Sequence, residues 1–382
     1  MRTKIEGNGI TEVDGSEEKP KVLFEGGFSK PKDGSTGGQV FACSSLVSSD
    51  LKDHVQWILL DTTMDSLPPP PFIHRLRKAI FRTHKFLWLL AVRRPDVVII
   101  FTASGASFVE KGMHVFLARC MRTPVLLSPR SGKDQRMMER SVFFRWYIPF
   151  VLRQCSLVIC QSPEWASFYQ RTGKLQASRI KVIPNWIQVP SSFTGEGKSI
   201  DGSVKVVYMG WMEKHKGIYE LLEVISDNQS RWRHVQFFFA GNGSEFSAFC
   251  ERVENLSLDP IVKCLGWVYG EGKERLLASA DCFVSFSYAE GMPNALLEAA
   301  AAGCACVATD VGASDTILPD KSFGLLVPAG DKVALEKALD SMIFNRELRI
   351  QTGSRARAYV RKNFSVDNAV NRFHEAIMSQ VK

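Results

Sequence analysis

No apolar run in this chain of 382 residues approaches the roughly 18–20 residues that a membrane-spanning helix needs, which argues against an integral membrane protein. The start, MRTKIEGNGITEVDGSEEKP, is polar and mixed in charge with no apolar signal core. Residues 1–20 therefore read as a loose tail, and the expected location is cytoplasmic rather than secreted. The nine cysteines show no metal-ligand spacing; Cys304 and Cys306 lie in an expected buried strand, and the set suits small core residues of a reducing compartment. No period of 20–50 residues repeats, which excludes a solenoid. There is no run of five like charges and no recognised RNA- or DNA-binding module, so nucleic acid is not an expected partner. A compact Gly-x-Gly-x-x-Gly turn is also missing: the first strand leads into GGFSKPKDGSTGG, which argues against a plain dehydrogenase.

What is present fits a soluble globular protein of two domains, with 45% hydrophobic and 23% charged residues. The net charge of +8 is uneven. Residues 1–195 hold 27 Lys and Arg against 16 Asp and Glu, whereas residues 196–382 hold 21 against 24, so the first half is the one suited to an anionic surface or substrate. KVLFE (21–25) reads as a first strand, followed by a glycine-rich loop and a helix over 40–51. QWILLD, DVVIIF, TPVLLS and SLVICQS are short, nearly continuous apolar runs of the kind buried in parallel sheets. After the polar stretch PSSFTGEGKSIDGS the strand–helix rhythm restarts with VKVVYMG, VQFFFAGNG, VKCLGWV and DCFVSFS. The fold class is thus α/β. The expected division is a Rossmann-like domain over 21–189, a linker over 190–203 and a second Rossmann-like domain over 204–363, with the last helix, about 364–382, packing back on the first.

The most informative stretch is Ser287 to Gly312, SYAEGMPNALLEAAAAGCACVATDVG. Gly291 permits a tight turn, Pro293 suits the first helical position, and NALLEAAAA is strong helix-former sequence stopped by Gly303. A helix placed so presents bare N–H groups and about half a positive charge at its start, which suits a diphosphate. Glu290 sits just outside that end and Glu298 about two turns in, so amides for phosphates stand beside carboxylates for hydroxyls.

The pattern Glu-Gly-x-Pro-x-x-x-x-Glu, followed by Glu-Ala-x-Ala-x-Gly and Ala-Thr-Asp-Val-Gly, resembles the signature of family 4 retaining glycosyltransferases. That resemblance implies the GT-B fold, two Rossmann-like domains with parallel sheets facing across a cleft. It implies Glu298 as ribose ligand, Glu290 as the contact to the transferred sugar, and the amides around Gly291, Met292, Pro293 and Asn294 at the phosphates. VVYMGWMEKHKG is similar to the family element strand, Gly-Arg, loop, Lys-Gly: Gly210 and Lys216 are in place and Lys216 is assigned the diphosphate, but Trp211 stands where the arginine is expected. AGNGSE resembles the family's Gly-x-Gly near the base and carries Gly241 and Gly243. Ser35 to Gln39 matches its double glycine, Gly37 and Gly38, at the donor phosphate or acceptor, with a simple loop as the equal alternative. SPRSGKD has Arg130 where many relatives carry a His-Gly or His-Asp pair, so no catalytic histidine is assigned; the charge lost at Trp211 falls to Lys214 or His215 nearby, or to Arg130 or Lys133 of the first domain. KVIPNW resembles Ile-Pro-Asn-Gly with Trp186 in place of glycine.

The resulting expectation is a retaining transferase that moves a sugar from a UDP- or GDP-sugar to a hydroxyl of a lipid-linked or envelope glycan acceptor. No Asp-x-Asp, the motif of metal-dependent enzymes of the other major glycosyltransferase fold, occurs, so no metal and no cofactor are expected and leaving-group charge falls to Lys216 and helix-end amides. Two rivals stay open on the residues: a non-catalytic sugar-nucleotide-binding homologue, supported by the missing arginine and histidine, and an enzyme of the same architecture with other chemistry, such as an epimerase. Finally, FIHRLRKAIFRTHKFLWLLAVRR (72–94) mixes seven Lys and Arg with Phe, Ile, Leu and Trp, which reads as a helix for peripheral contact with an anionic membrane, here the inner face of the cytoplasmic membrane, or equally as a core helix with a basic face.

Overall fold

A computed structural model describes residues 18–29, 38–63, 71–190 and 203–381. Gly37 and the linker segment 191–202 lie outside the described residues.

The first half forms a six-stranded, all-parallel sheet in the order β2-β1-β3-β4-β5-β6. Its strands are β1 (Lys21–Gly26), β2 (Gln56–Asp61), β3 (Val97–Thr102), β4 (Val125–Pro129), β5 (Leu157–Cys160) and β6 (Ile180–Val182). Every residue of VVIIFT and of LVIC is buried, because helices cover both faces of the sheet. The second half repeats the design with β7 (Val204–Met209), β8 (Val235–Ala240), β9 (Val262–Gly266), β10 (Cys282–Ser285), β11 (Ala305–Thr309) and β12 (Leu325–Val327). Their order, β12-β11-β10-β7-β8-β9, reverses direction between β7 and β10, the doubly wound arrangement that leaves a crevice at the carboxyl ends of the strands.

Each sheet has a core on both faces. Trp232, Phe237, Phe239 and Phe249 fill one side of the second sheet, and the alanine-rich helix Asn294–Ala302 packs on the other with Phe283, Cys304 and Cys306. Four of its five alanines are buried, and these small side chains let it lie close to the helix Arg346–Asn363. The helix Val366–Met378 leaves the second half and inserts Phe373 and Ile377 among Val22, Phe24 and Trp186 of the first. Each such buried side chain contributes about 1.5–3 kcal/mol. The two halves are also tied where Ile187 bridges Ser365 and its N–H bonds the Phe364 carbonyl at 2.9 Å.

The helix expected over 40–51 runs instead over Gly38–Ser48, and Ser49 then caps a separate 3₁₀ turn, Asp50–Asp53, by accepting from the Leu51 N–H. A serine oxygen offers the backbone an alternative to helix, which ends it early. One buried polar group underlies the first half. Glu25, wholly buried at the end of β1, accepts from His114 Nδ1 at 2.9 Å and lies 3.7 Å from Lys111 Nζ. Glu110 beside it is held by Arg82 at 2.6 Å, so the carboxylates each have a cationic or hydrogen-bonding partner.

Candidate active site

The carboxyl ends of β4, β5, β7, β9 and β10 converge on one cavity of about 780 Å³ between the halves. Its second-half wall comes from the turn after β10. Strand β10 stops at Ser285, and the chain bends through Glu290 and Gly291 before the helix begins at Asn294. Pro293 therefore sits at the cap position rather than inside the helix, and Glu298 stands little more than one turn in, not two. No side chain among the described residues caps this helix, which leaves its first N–H groups for a ligand. Gly312, at φ +62°, lies against the Glu290 and Gly291 carbonyls, where both the backbone angle and the space require glycine.

Two lysine–glutamate pairs stand in the cavity. Lys216 Nζ donates to Glu290 Oε1 at 2.6 Å, and Lys273 Nζ donates to Glu298 Oε1 at 2.8 Å. All four line the same space, so each carboxylate is matched there by a lysine. Lys216 ends the short turn Lys214–Lys216, and Gly217, at φ +67°, lies close against the Phe286 carbonyl, which holds the lysine beside β10. Tyr208, buried at the base of this wall, is pushed well above the usual phenol range by burial and then by Glu290 and Glu213. Trp211 and Trp267 meet edge to face at 4.6 Å, also on the cavity.

The first-half wall carries Gly38, Gln39, Arg130, Gln161 and Asn185. Arg130 lies over Phe101 and Trp186, 4.6 and 5.1 Å from their centroids. Burial pulls its pKa down to about 10, opposed weakly by Cys43, so it is a cation at neutral pH. The halves touch directly. Trp165 Nε1 donates to the Gly291 carbonyl at 3.1 Å, Arg136 to the Tyr288 carbonyl at 2.6 Å, and Gly132 abuts the Glu290 carbonyl.

Of the sequence-expected residues, Glu290, Lys216, Glu298, Met292, Pro293, Asn294, Gly210, Gly38 and Arg130 line this cavity. Gly241, Gly243 and Gly291 do not. Gly241 backs onto the Gly210 carbonyl, Gly243 onto Met212, and Gly291 is buried under Trp165. Gly37 falls outside the described residues, and Lys133 is exposed and does not line the cavity. Sequence reasoning missed Lys273, Asn185, Gln161 and Ser287. Asn185 lies in the KVIPNW motif and Ser287 at the head of the two-glutamate stretch without an assigned role, while Lys273 and Gln161 are marked only by position in a first helical turn or at a strand end.

Residues 203–345 match the family described as glycosyl transferases group 1, and residues 53–186 match the glycosyl transferase 4-like domain. The Saccharomyces cerevisiae phosphatidylinositol N-acetylglucosaminyltransferase GPI3 subunit is 28% identical over 284 residues, 70% of this chain; the match spans only 62% of that protein's length. The Mycobacterium leprae phosphatidyl-myo-inositol mannosyltransferase is 34% identical over 146 residues, 38% of each chain. Among solved structures, sucrose-phosphate synthase from Thermosynechococcus elongatus superposes with a TM-score of 0.76 at 15% identity, over 94% of this chain and 99% of that one. Anabaena HepE in complex with UDP-glucose gives 0.71 at 18% identity, over 94% and 100%. At these identities the structures establish the fold, which is GT-B.

Proposed function

The chain belongs to the group 1, family 4 type of glycosyltransferase, and on that premise we propose that it transfers a sugar from a UDP- or GDP-sugar to a hydroxyl of a lipid-linked or envelope glycan acceptor, with retention and without a metal. The observation that carries this reading is the convergence of the Lys216–Glu290 and Lys273–Glu298 pairs beside the uncapped start of one helix. A donor's diphosphate takes Lys216 and the bare amides, its ribose takes Glu298, and its sugar hydroxyls take Glu290. The glycosidic C1–O bond to phosphate breaks as the acceptor oxygen joins C1 on the same face, and the acceptor proton passes to the departing phosphate oxygen. Lys216 and the amides stabilise the charge that develops there, while contact between the halves keeps out water.

The acceptor class is supported by the names of the yeast and Mycobacterium leprae relatives, both of which specify phosphatidylinositol. It is supported too by the helix Phe72–Arg93, which buries only Phe86, Leu89 and Leu90 and leaves Phe72, Ile73 and Phe81 at least 70% exposed among Arg75, Arg77 and Lys85. Such a surface suits peripheral attachment to an anionic bilayer, on the cytoplasmic side where nucleotide sugars are held. No helix among the described residues is long and apolar enough to cross a membrane.

A thermal-shift series with UDP-, GDP- and ADP-sugars tests the donor assignment. A ligand at a hundred times its dissociation constant adds about 2.7 kcal/mol of stability, and Glu298→Ala is expected to abolish the shift. No shift with any sugar nucleotide, or an undiminished one in the variant, refutes the reading.

A further inference from the structure

The positive charge of the cleft is divided between its walls. On the second half the cavity is lined by Lys216, paired with Glu290, and Lys273, paired with Glu298, while the position five residues before Lys216 holds Trp211, whose ring packs on Trp267. On the first half Arg130 is stacked between Phe101 and Trp186, with Nη2 donating to Asn185 Oδ1. Among the described residues its buried Nη1 has no acceptor, and across the cavity the buried Ser287 hydroxyl also has no partner. Buried polar groups are costly to leave unpaired, a charged donor most of all, and both of these border the cavity a diphosphate would enter.

Asn185 uses its whole side chain. Oδ1 accepts from Arg130 and from Gln161 Nε2 at 2.7 Å, and Nδ2 donates to the Met292 carbonyl at 3.0 Å and to Asn294 Oδ1 at 2.6 Å. The orientation of the amide follows from its partners: guanidinium only donates and the Met292 carbonyl only accepts, so the flipped amide would oppose both. One residue of the first half thereby holds a cation with one end and the start of the second half's diphosphate-facing helix with the other.

We propose that Arg130 is the second cation for the donor diphosphate, replacing the charge absent at Trp211, and that Asn185 is the positioning residue that delivers it when the halves meet. The proposal rests on the donor reading above. Its consequence is a split site. Donor held by the second half alone meets only lysines already paired with carboxylates, Lys216 with Glu290 and Lys273 with Glu298, among the described residues lining the cavity. The leaving group is fully compensated only after Asn185 engages Met292 and Asn294, so closure of the cleft and activation of the leaving group become one event.

The test measures binding of UDP and GDP, with uridine and guanosine as phosphate-free controls, to the full chain. The set is wild type, Arg130→Met, Arg130→Lys, Asn185→Ala, and the first and last of these variants combined with Trp211→Arg. Loss of one charge-assisted contact is expected to weaken the preferred diphosphate by about 10- to 100-fold in Arg130→Met and in Asn185→Ala. Nucleoside binding stays unchanged, and Arg130→Lys retains part of the affinity. Adding Trp211→Arg restores diphosphate binding in both backgrounds, since the cation then sits on the same wall as Lys216. Wild-type affinity in Arg130→Met, or no rescue by Trp211→Arg, overturns the cation assignment. Weakening in Arg130→Met without weakening in Asn185→Ala overturns the positioning role. A wild-type chain that binds neither UDP nor GDP instead removes the donor reading beneath it.

Discussion

Replacing Gly132 with alanine places a methyl group between the two halves. A Cβ at that position overlaps the Glu290 carbonyl and comes within 2.7 Å of the Gly291 nitrogen. All these atoms are backbone, so no side chain can rotate away. The loop carrying Gly132 is fixed from behind: Arg130 N–H bonds the Thr102 carbonyl at 2.8 Å, and buried Asp134 accepts from Tyr169 at 2.8 Å and from Ser104. The opposing turn is equally fixed, since the Gly291 carbonyl accepts from Trp165 and from the Ala313 N–H at 2.9 Å. The remaining relief is to part the halves. Overpacking of this kind costs about 1–3 kcal/mol, and a cost charged to the closed state lowers kcat/KM by roughly 5- to 150-fold. Gly132 does not have a positive φ, so alanine fits the loop itself, and the thermal midpoint is expected to move by no more than about 2 °C. Steady-state kinetics with the preferred donor, together with solution scattering for the radius of gyration, gives the answer. Wild-type kcat/KM with unchanged scattering refutes the claim that this contact limits closure.

Three further outcomes are expected. Changing Arg75, Arg77 and Lys85 together to glutamine removes about 1 kcal/mol of attraction each, so binding to vesicles rich in anionic lipid should fall by roughly two orders of magnitude; equal binding in a flotation assay rejects membrane contact through Phe72–Arg93. Lys111→Met leaves buried Glu25 with His114 alone and should cost the first half about 3–5 kcal/mol by calorimetry, most of it recovered by adding Glu25→Gln; a neutral single variant contradicts the pairing. His215 is held below the usual imidazole range by burial, then by Lys133 and Lys216, with Glu213 and Glu290 opposing. Its neutral form is favoured in the fold, so its stabilisation is complete above the unfolded value near 6.5 and is lost as pH falls through the lower folded value. The thermal midpoint of the wild type should therefore drop more steeply between pH 7.5 and 5 than that of His215→Gln, and parallel curves would contradict the assignment.

The sequence by itself determined the fold and half of the site. Runs such as VVIIFT and LVIC are apolar without alternation, which only a sheet covered on both faces satisfies, and the restart of that rhythm at Val204 gave two sheets. Glu290, Glu298 and the helix between them were legible because turn, helix and carboxylates lie within a dozen residues, where local geometry alone sets their relation. Lys216 was legible for the same reason, through the Gly217 that follows it. The tertiary structure decided everything that crosses the gap. That Arg130 rather than Lys133 faces the cavity, that Asn185 joins residue 130 to residues 292 and 294, and that Lys273 pairs with Glu298 are facts of long-range packing. A backbone period reports which face of its own element a residue occupies and carries no information on what a second element, 25 to 109 residues away, brings against it.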